Sequence, residues 1–157
     1  MKRTKKITQG AIIAALYVVL TFVANAMGLA NGAIQIRLSE ALTILPYFTP
    51  AAIPGLFVGC IVSNILTGCA LWDIIFGSIA TLIGAIGTYS LKKYKWLTPI
   101  PPIVSNTVIV PLVLIYAYNA KDAFPFLAFT VGMGETLSAG VLGMILLKSL
   151  EKHKDIF

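Results

Sequence analysis

Charge is scarce in this chain of 157 residues: 11% of them are charged and 58% are hydrophobic. Soluble domains average about 25% charged and roughly 45–50% apolar. So few charges cannot cover a water-exposed surface of this size. That excludes an ordinary cytosolic enzyme, a disordered chain and, despite a net charge of +6, a nucleic-acid binder. Histidine occurs once, at His153, and no Cys, His or acidic grouping has metal-ligand spacing, so no metal is expected. The two cysteines, Cys60 and Cys69, fall on one proposed helix about 13 Å apart along its axis, too far to bridge, and read as small apolar filler. There is no Gly-Lys dipeptide and hence no P-loop, and neither G-x-S-x-G nor H-E-x-x-H occurs. No catalytic residue and no cofactor is expected. Uphill transport would have to draw on an ion gradient or on a partner chain.

What the chain does have is long apolar runs. At about 20 residues per spanning helix, its length holds at most six or seven spans and no soluble domain. All of its 12 basic residues except Arg37 and Lys121 fall in three clusters: Lys2, Arg3, Lys5 and Lys6; Lys92, Lys93 and Lys95; Lys148, Lys152 and Lys154. Basic residues beside span ends stay in the cytoplasm. An even number of spans must therefore separate successive clusters. The expectation is an all-α bundle of six transmembrane helices with both termini cytoplasmic, forming one domain over residues 1–157. Its spans fall near 7–29, 36–48, 51–69, 74–91, 97–118 and 125–147. The second is shorter than the ~30 Å hydrocarbon core, so it needs a thin membrane or irregular backbone packed inside protein. A competing reading takes the N-terminus, with its Ala24-Asn25-Ala26, as a secretory signal whose removal leaves five spans.

The polar residues inside apolar runs are the candidates for function, because a charge at a helix centre costs about 2.5–3.5 kcal/mol on insertion scales. Glu135 is expected ~15 Å from the outer end of the last span, Asp73 at the outer start of the fourth beside Trp72, and Glu40 near the outer start of the second. Asn64 and Asn106 add amides. Gly132, Glu135, Thr136, Ala139 and Gly143 share one helical face, as do Asp73, Gly77, Ala80, Thr81 and Gly84. The plainer reading is that small faces let helices pack and that one carboxylate pairs with Arg37. The polar groups lie between the outer surface and the midplane, above an apolar inner half. A channel would be lined on both sides, and an ion-coupled pump would carry ionisable groups inward. An outward-facing acidic pocket suits a ligand rich in donors or cationic, with Trp72 available to stack on a flat ring. On the first span, Gly10/Ala14 and Ala11/Ala15 are overlapping small-xxx-small pairs that permit close helix approach.

Gln35-Ile-Arg-Leu-Ser-Glu-Ala41 with Leu45-Pro-Tyr47, Thr49-Pro-Ala-Ala-Ile-Pro-Gly55 and Trp72-Asp73-Ile-Ile-Phe-Gly77 resembles the queuosine-precursor transporter family, QueT. The likeness runs over nearly the whole chain. Its members are substrate-binding S subunits of energy-coupling factor (ECF) transporters. The resemblance implies a 7-deazaguanine ligand, in first place the aminomethyl precursor of queuosine, captured outside the bacterial cell membrane. It implies as partners a transmembrane coupling subunit and two ATPase subunits that use the ATP, with Ala11-xxx-Ala15 matching the docking motif of the first helix. Glu135 or Glu40 would take the N–H edge of the base and Asp73 the ammonium, or the reverse. Gln35, Arg37 and Trp72 would belong to outer loops closing over the ligand. The competing functions are a stand-alone or ion-coupled carrier of a small cationic or heteroaromatic solute, an S subunit for another vitamin, and a structural protein, which would not need three acids facing one side.

Overall fold

A computed structural model describes residues 2–30 and 34–153; Lys154 of the third basic cluster lies outside them. Every regular element among the described residues is helical. Helix α1 spans Lys2–Ala26, followed by a 3-10 helix over Leu38–Tyr47. Then come α2 (Ala52–Leu66), α3 (Leu71–Ser90) and α4 (Ile100–Tyr118), with one 3-10 turn at Lys95–Leu97 leading into α4. The last rod comprises α5 (Phe124–Glu135), a π-helical stretch (Thr136–Leu142) and α6 (Gly143–Glu151). Among the described residues, four stretches are helical, long and apolar enough to cross a membrane: Arg3–Ala26, Leu71–Ser90, Lys95–Tyr118 and Phe124–Glu151.

Glycine sets the direction of the first pair. A Cβ on Gly55 would fall 2.6 Å from the Gly10 carbonyl oxygen, and one on Gly59 would fall 3.0 Å from Ala14 Cα. Rising numbers meet rising numbers, so α1 and α2 are parallel and in backbone contact, as small residues allow. Gly10 and Ala14 are thereby used inside the chain, whereas Ala11 and Ala15 are exposed. The expected partner-facing set divides between the two faces of α1.

Parallel α1 and α2 require the connection to return the full length of the bundle. The 3-10 helix does so: Arg37 begins it at the end where α1 finishes, and beyond its far end the Thr49 hydroxyl donates to Gln9 Oε1 near the start of α1 at 3.3 Å. Ten residues at about 2.0 Å each cover roughly 20 Å, against 15 Å for the same number in α-helix. A 3-10 helix therefore stretches a short segment across. Ser39 through Pro46 are all buried, so this backbone meets protein on every side.

The remaining helices alternate in direction. Glycines again allow close approach, with Gly84 and Gly87 of α3 facing Pro102 and Pro101 in the first turn of α4. Proline is tolerated there because that turn has no intrahelical use for its N–H. The Thr88 hydroxyl donates to the Thr98 carbonyl at 2.9 Å and Ser105 to the Ala80 carbonyl at 2.9 Å, so α3 and α4 are antiparallel. Lys95 pairs with Glu151, and the Lys148 ammonium sits 5.4 Å from the Trp96 ring centroid, joining the end of α6 to the start of α4. The basic residues near the start of α1, between α3 and α4 and at the end of α6 thus collect at one end of the bundle, the arrangement of a positive face.

Candidate substrate-binding site

Two cavities open at the other end. The larger, about 490 Å³, lies among α1, α2, α3 and the end of α4; the smaller, about 230 Å³, lies between α4 and α5. Gln35 and Arg37 line both, so the strap leading into the 3-10 helix is their common wall. The strap is held at two points. The Arg37 N–H donates to Ser138 Oγ at 3.0 Å, and the Gln35 carbonyl oxygen sits where a Cβ on Gly134 would be, 2.1 Å away.

In the larger cavity Asp73, in the first turn of α3, is only 7% exposed. The Tyr118 hydroxyl donates to Asp73 Oδ2 at 3.0 Å and itself accepts from the Ala70 N–H at 3.0 Å. Asn64 donates to the Asp73 carbonyl at 3.4 Å. Gly77, one turn below, makes room for this group: its Cβ would lie 2.8 Å from Asp73 Oδ1 and 3.5 Å from Asn64 Nδ2. Arg37 lines the same cavity, and its positive charge is set among the carboxylates of Asp73, Glu135 and Glu40. A carboxylate, an amide, a phenol and a guanidinium converging on a space of this size suit a small polar heterocycle.

The smaller cavity ends on Glu135, about 16 Å along the axis from the start of α5. Glu135 is 4% exposed and its Oε2 has no hydrogen-bond partner. Asp122 and Ala120 stand at the mouth, Leu127 and Val110 on the walls.

Glu40 is placed differently from the expectation. It accepts from the Tyr17 hydroxyl at 2.5 Å and from Asn106 Nδ2 at 3.3 Å, and neither Glu40 nor Asn106 lines either cavity. Together with Tyr17 they form a buried floor under the cavities. Each Glu40 oxygen thus accepts from a side chain of this chain. Below it, the buried hydroxyls of Thr88, Ser105 and Thr98 satisfy backbone carbonyls of this chain. Trp72 also departs from the expectation. It is 56% exposed, lies within α3 rather than in a loop, stacks on Phe76 at 5.7 Å and does not line a cavity. One residue along a helix is a turn of about 100°, so burying Asp73 points Trp72 outward.

The profile of the family described as QueT transporter matches residues 7–152. The chain belongs to the QueT transporter family. It is also 38% identical over 99 residues to the queuosine precursor transporter QueT of Lactococcus lactis subsp. cremoris (strain MG1363). That alignment covers 60% of this chain and 57% of the relative, so the chain spans little more than half of that protein's length. No solved structure matches. With its apolar helices, this QueT family member is a multi-pass protein of the bacterial membrane.

The cavities of this QueT chain gather Asp73, Asn64, Arg37, Gln35 and Glu135 from the expected set. Sequence reasoning passed over Tyr17, Tyr118, Ser138 and Asp122. A tyrosine ending an apolar run reads as an interfacial anchor, and an acid in an outer loop reads as solvated. Of the face expected on the last helix, Glu135, Ala139 and Gly143 are buried and Gly132 is half-buried, while Thr136 is exposed and Gly134 and Ser138 are buried instead. The stretch from Thr136 to Leu142 is π-helical, a local departure from the α form that a spacing of three and four does not anticipate.

Proposed function

We propose that this chain is the substrate-binding S subunit of an ECF-type transporter. On this reading it crosses the membrane six times, the 3-10 helix serving as the second crossing, with both termini in the cytoplasm. It captures a queuosine precursor, a 7-deazaguanine base, from outside the cell. The single observation that carries this is a pocket open at the end opposite the lysine clusters and closed beneath by the buried Tyr17–Glu40–Asn106 group. Such a closed cup can hold a ligand but offers no continuous polar path, as a channel would require. The Asp73 corner, braced by Asn64 and Tyr118, supports recognition of a guanine-like edge, since a carboxylate accepts a pair of adjacent N–H groups. With no nucleotide-binding motif in the chain, the energy would come from ATP used by two partner ATPase subunits through a transmembrane coupling subunit.

The test is equilibrium binding to purified protein in detergent. The expected result is retention of 7-aminomethyl-7-deazaguanine without ATP or sodium. Alone in liposomes the protein should not accumulate that ligand, and co-reconstitution with coupling and ATPase subunits should confer ATP-dependent uptake. Sodium- or proton-driven accumulation by the chain alone would replace this reading with that of an ion-coupled carrier.

A further inference from the structure

We propose that the smaller cavity is a distinct subsite for a protonated primary amine carried on a short arm, with Glu135 as its acceptor and the ring in the larger cavity. This deepens the function proposed above and rests on it. Three observations support it.

The first is size. Ligand cavities usually measure roughly 300–1,000 Å³. The larger cavity, about 490 Å³, lies in that range, and the smaller, about 230 Å³, lies below it. The smaller one suits a substituent rather than a whole ligand.

The second is charge. The larger cavity carries the carboxylate of Asp73 and the smaller those of Glu135 and Asp122, while the one guanidinium of Arg37 on their shared wall can balance only one of the three, so the smaller cavity, with two, has the greater demand for a cation.

The third is satisfaction. The Glu40 carboxylate is engaged by Tyr17 and Asn106, and one oxygen of Asp73 by Tyr118. Glu135 Oε2 is buried without a partner. Buried carboxylate oxygens are seldom left unpaired, because doing so forfeits the compensation for desolvation. A donor delivered with the ligand would supply it. The cavities share the Gln35–Arg37 wall, so an arm passing that strap joins them.

The experiment compares three probes with one ring: 7-deazaguanine, its 7-cyano derivative and its 7-aminomethyl derivative, by calorimetry on the full chain in detergent. Wild type should prefer the aminomethyl probe over the nitrile tenfold or more. Glu135→Gln should weaken the aminomethyl probe about 10- to 100-fold, the span of a charged hydrogen bond, and leave the other two within about threefold. Asp73→Asn should weaken all three alike. Equal wild-type affinity for nitrile and amine, or equal loss of all three probes in Glu135→Gln, overturns the subsite and leaves the ring pocket standing. Failure of wild type to bind any of the three overturns both proposals. If Glu135→Gln does not fold, Asp122→Asn at the exposed mouth decides. It should slow association of the aminomethyl probe several-fold at low salt and leave the nitrile unchanged; equal rates for both probes overturn the subsite.

Discussion

At the scale of single residues, the best-supported group is Asp73 with its supports. Tyr118→Phe removes the donor to Asp73 Oδ2 and leaves the Ala70 N–H without its acceptor. The expected result is a 3- to 10-fold weaker affinity, since a hydrogen bond contributes about 1 kcal/mol net, with little change in melting temperature. Gly77→Ala acts on the same atoms by crowding. Its Cβ would press on Asp73 Oδ1 at 2.8 Å, the movable end of a side chain, so binding should fall more than stability. Thermal melting and calorimetry on the one variant separate the two effects. Cys69 supplies a reporter because it lines the larger cavity and is partly exposed, whereas Cys60 is 2% exposed. A maleimide should label Cys69 and spare Cys60, and bound 7-deazaguanine should slow that labelling; labelling unaffected by saturating ligand would place the ligand elsewhere. Asp73, Asn64 and Glu135 are legible in sequence because a polar group inside an apolar run costs energy that something must repay. The cost alone does not say what repays it. Glu40 is as conspicuous as Glu135, yet its partners are Tyr17 and Asn106, contributed by two distant helices that only the folded chain brings together.

At the scale of elements, two devices organise the bundle: glycine contacts that let helices touch, and backbone that departs from the α form where the chain must cover an unusual distance. Along α2, Gly59 faces Tyr17 Cβ at 2.9 Å and Ala14 Cα at 3.0 Å from a built Cβ. Gly59→Ala should therefore force α1 and α2 apart and cost about 1–3 kcal/mol, read as a lower melting temperature. It should also disturb the floor, because Tyr17 donates to Glu40. Gly134→Ala tests the strap. A Cβ there meets fixed backbone at Gln35, so the strap must lift from α5 and ligand should leave faster, with at least a tenfold larger dissociation rate. The length of the 36–48 segment already demanded something other than an ordinary span. That it is a 3-10 helix follows from the distance it must bridge, set by the parallel pairing of α1 and α2 and hence by contacts remote in sequence. The π-helical stretch escapes periodicity for a related reason: it answers to packing against the 3-10 helix and the strap, with Ser138 turned toward Arg37.

At the scale of the molecule, polarity runs along the bundle axis, with lysines and Trp96 at one end, acid-lined cavities at the other and a sealed floor between. On the function proposed above, ligand enters from one side, and release to the other requires the floor to open or the whole body to move, with the work supplied by partner subunits. The face of α1 that would receive that work is the one its internal contacts leave free. Gly10 and Ala14 are spent on Gly55 and Gly59, while Ala11 and Ala15 are exposed among Ile7, Ile12 and Leu16. Ala11→Leu with Ala15→Leu should therefore leave ligand affinity and melting temperature unchanged and abolish ATP-driven uptake in the reconstituted complex, since bulk on that stripe blocks close approach of a coupling helix. The control is Gly10→Leu with Ala14→Leu, which strikes the α1–α2 contact and should lower stability and binding together. If the Ala11 and Ala15 variant loses binding as well, that stripe packs within the fold and docking must use another surface.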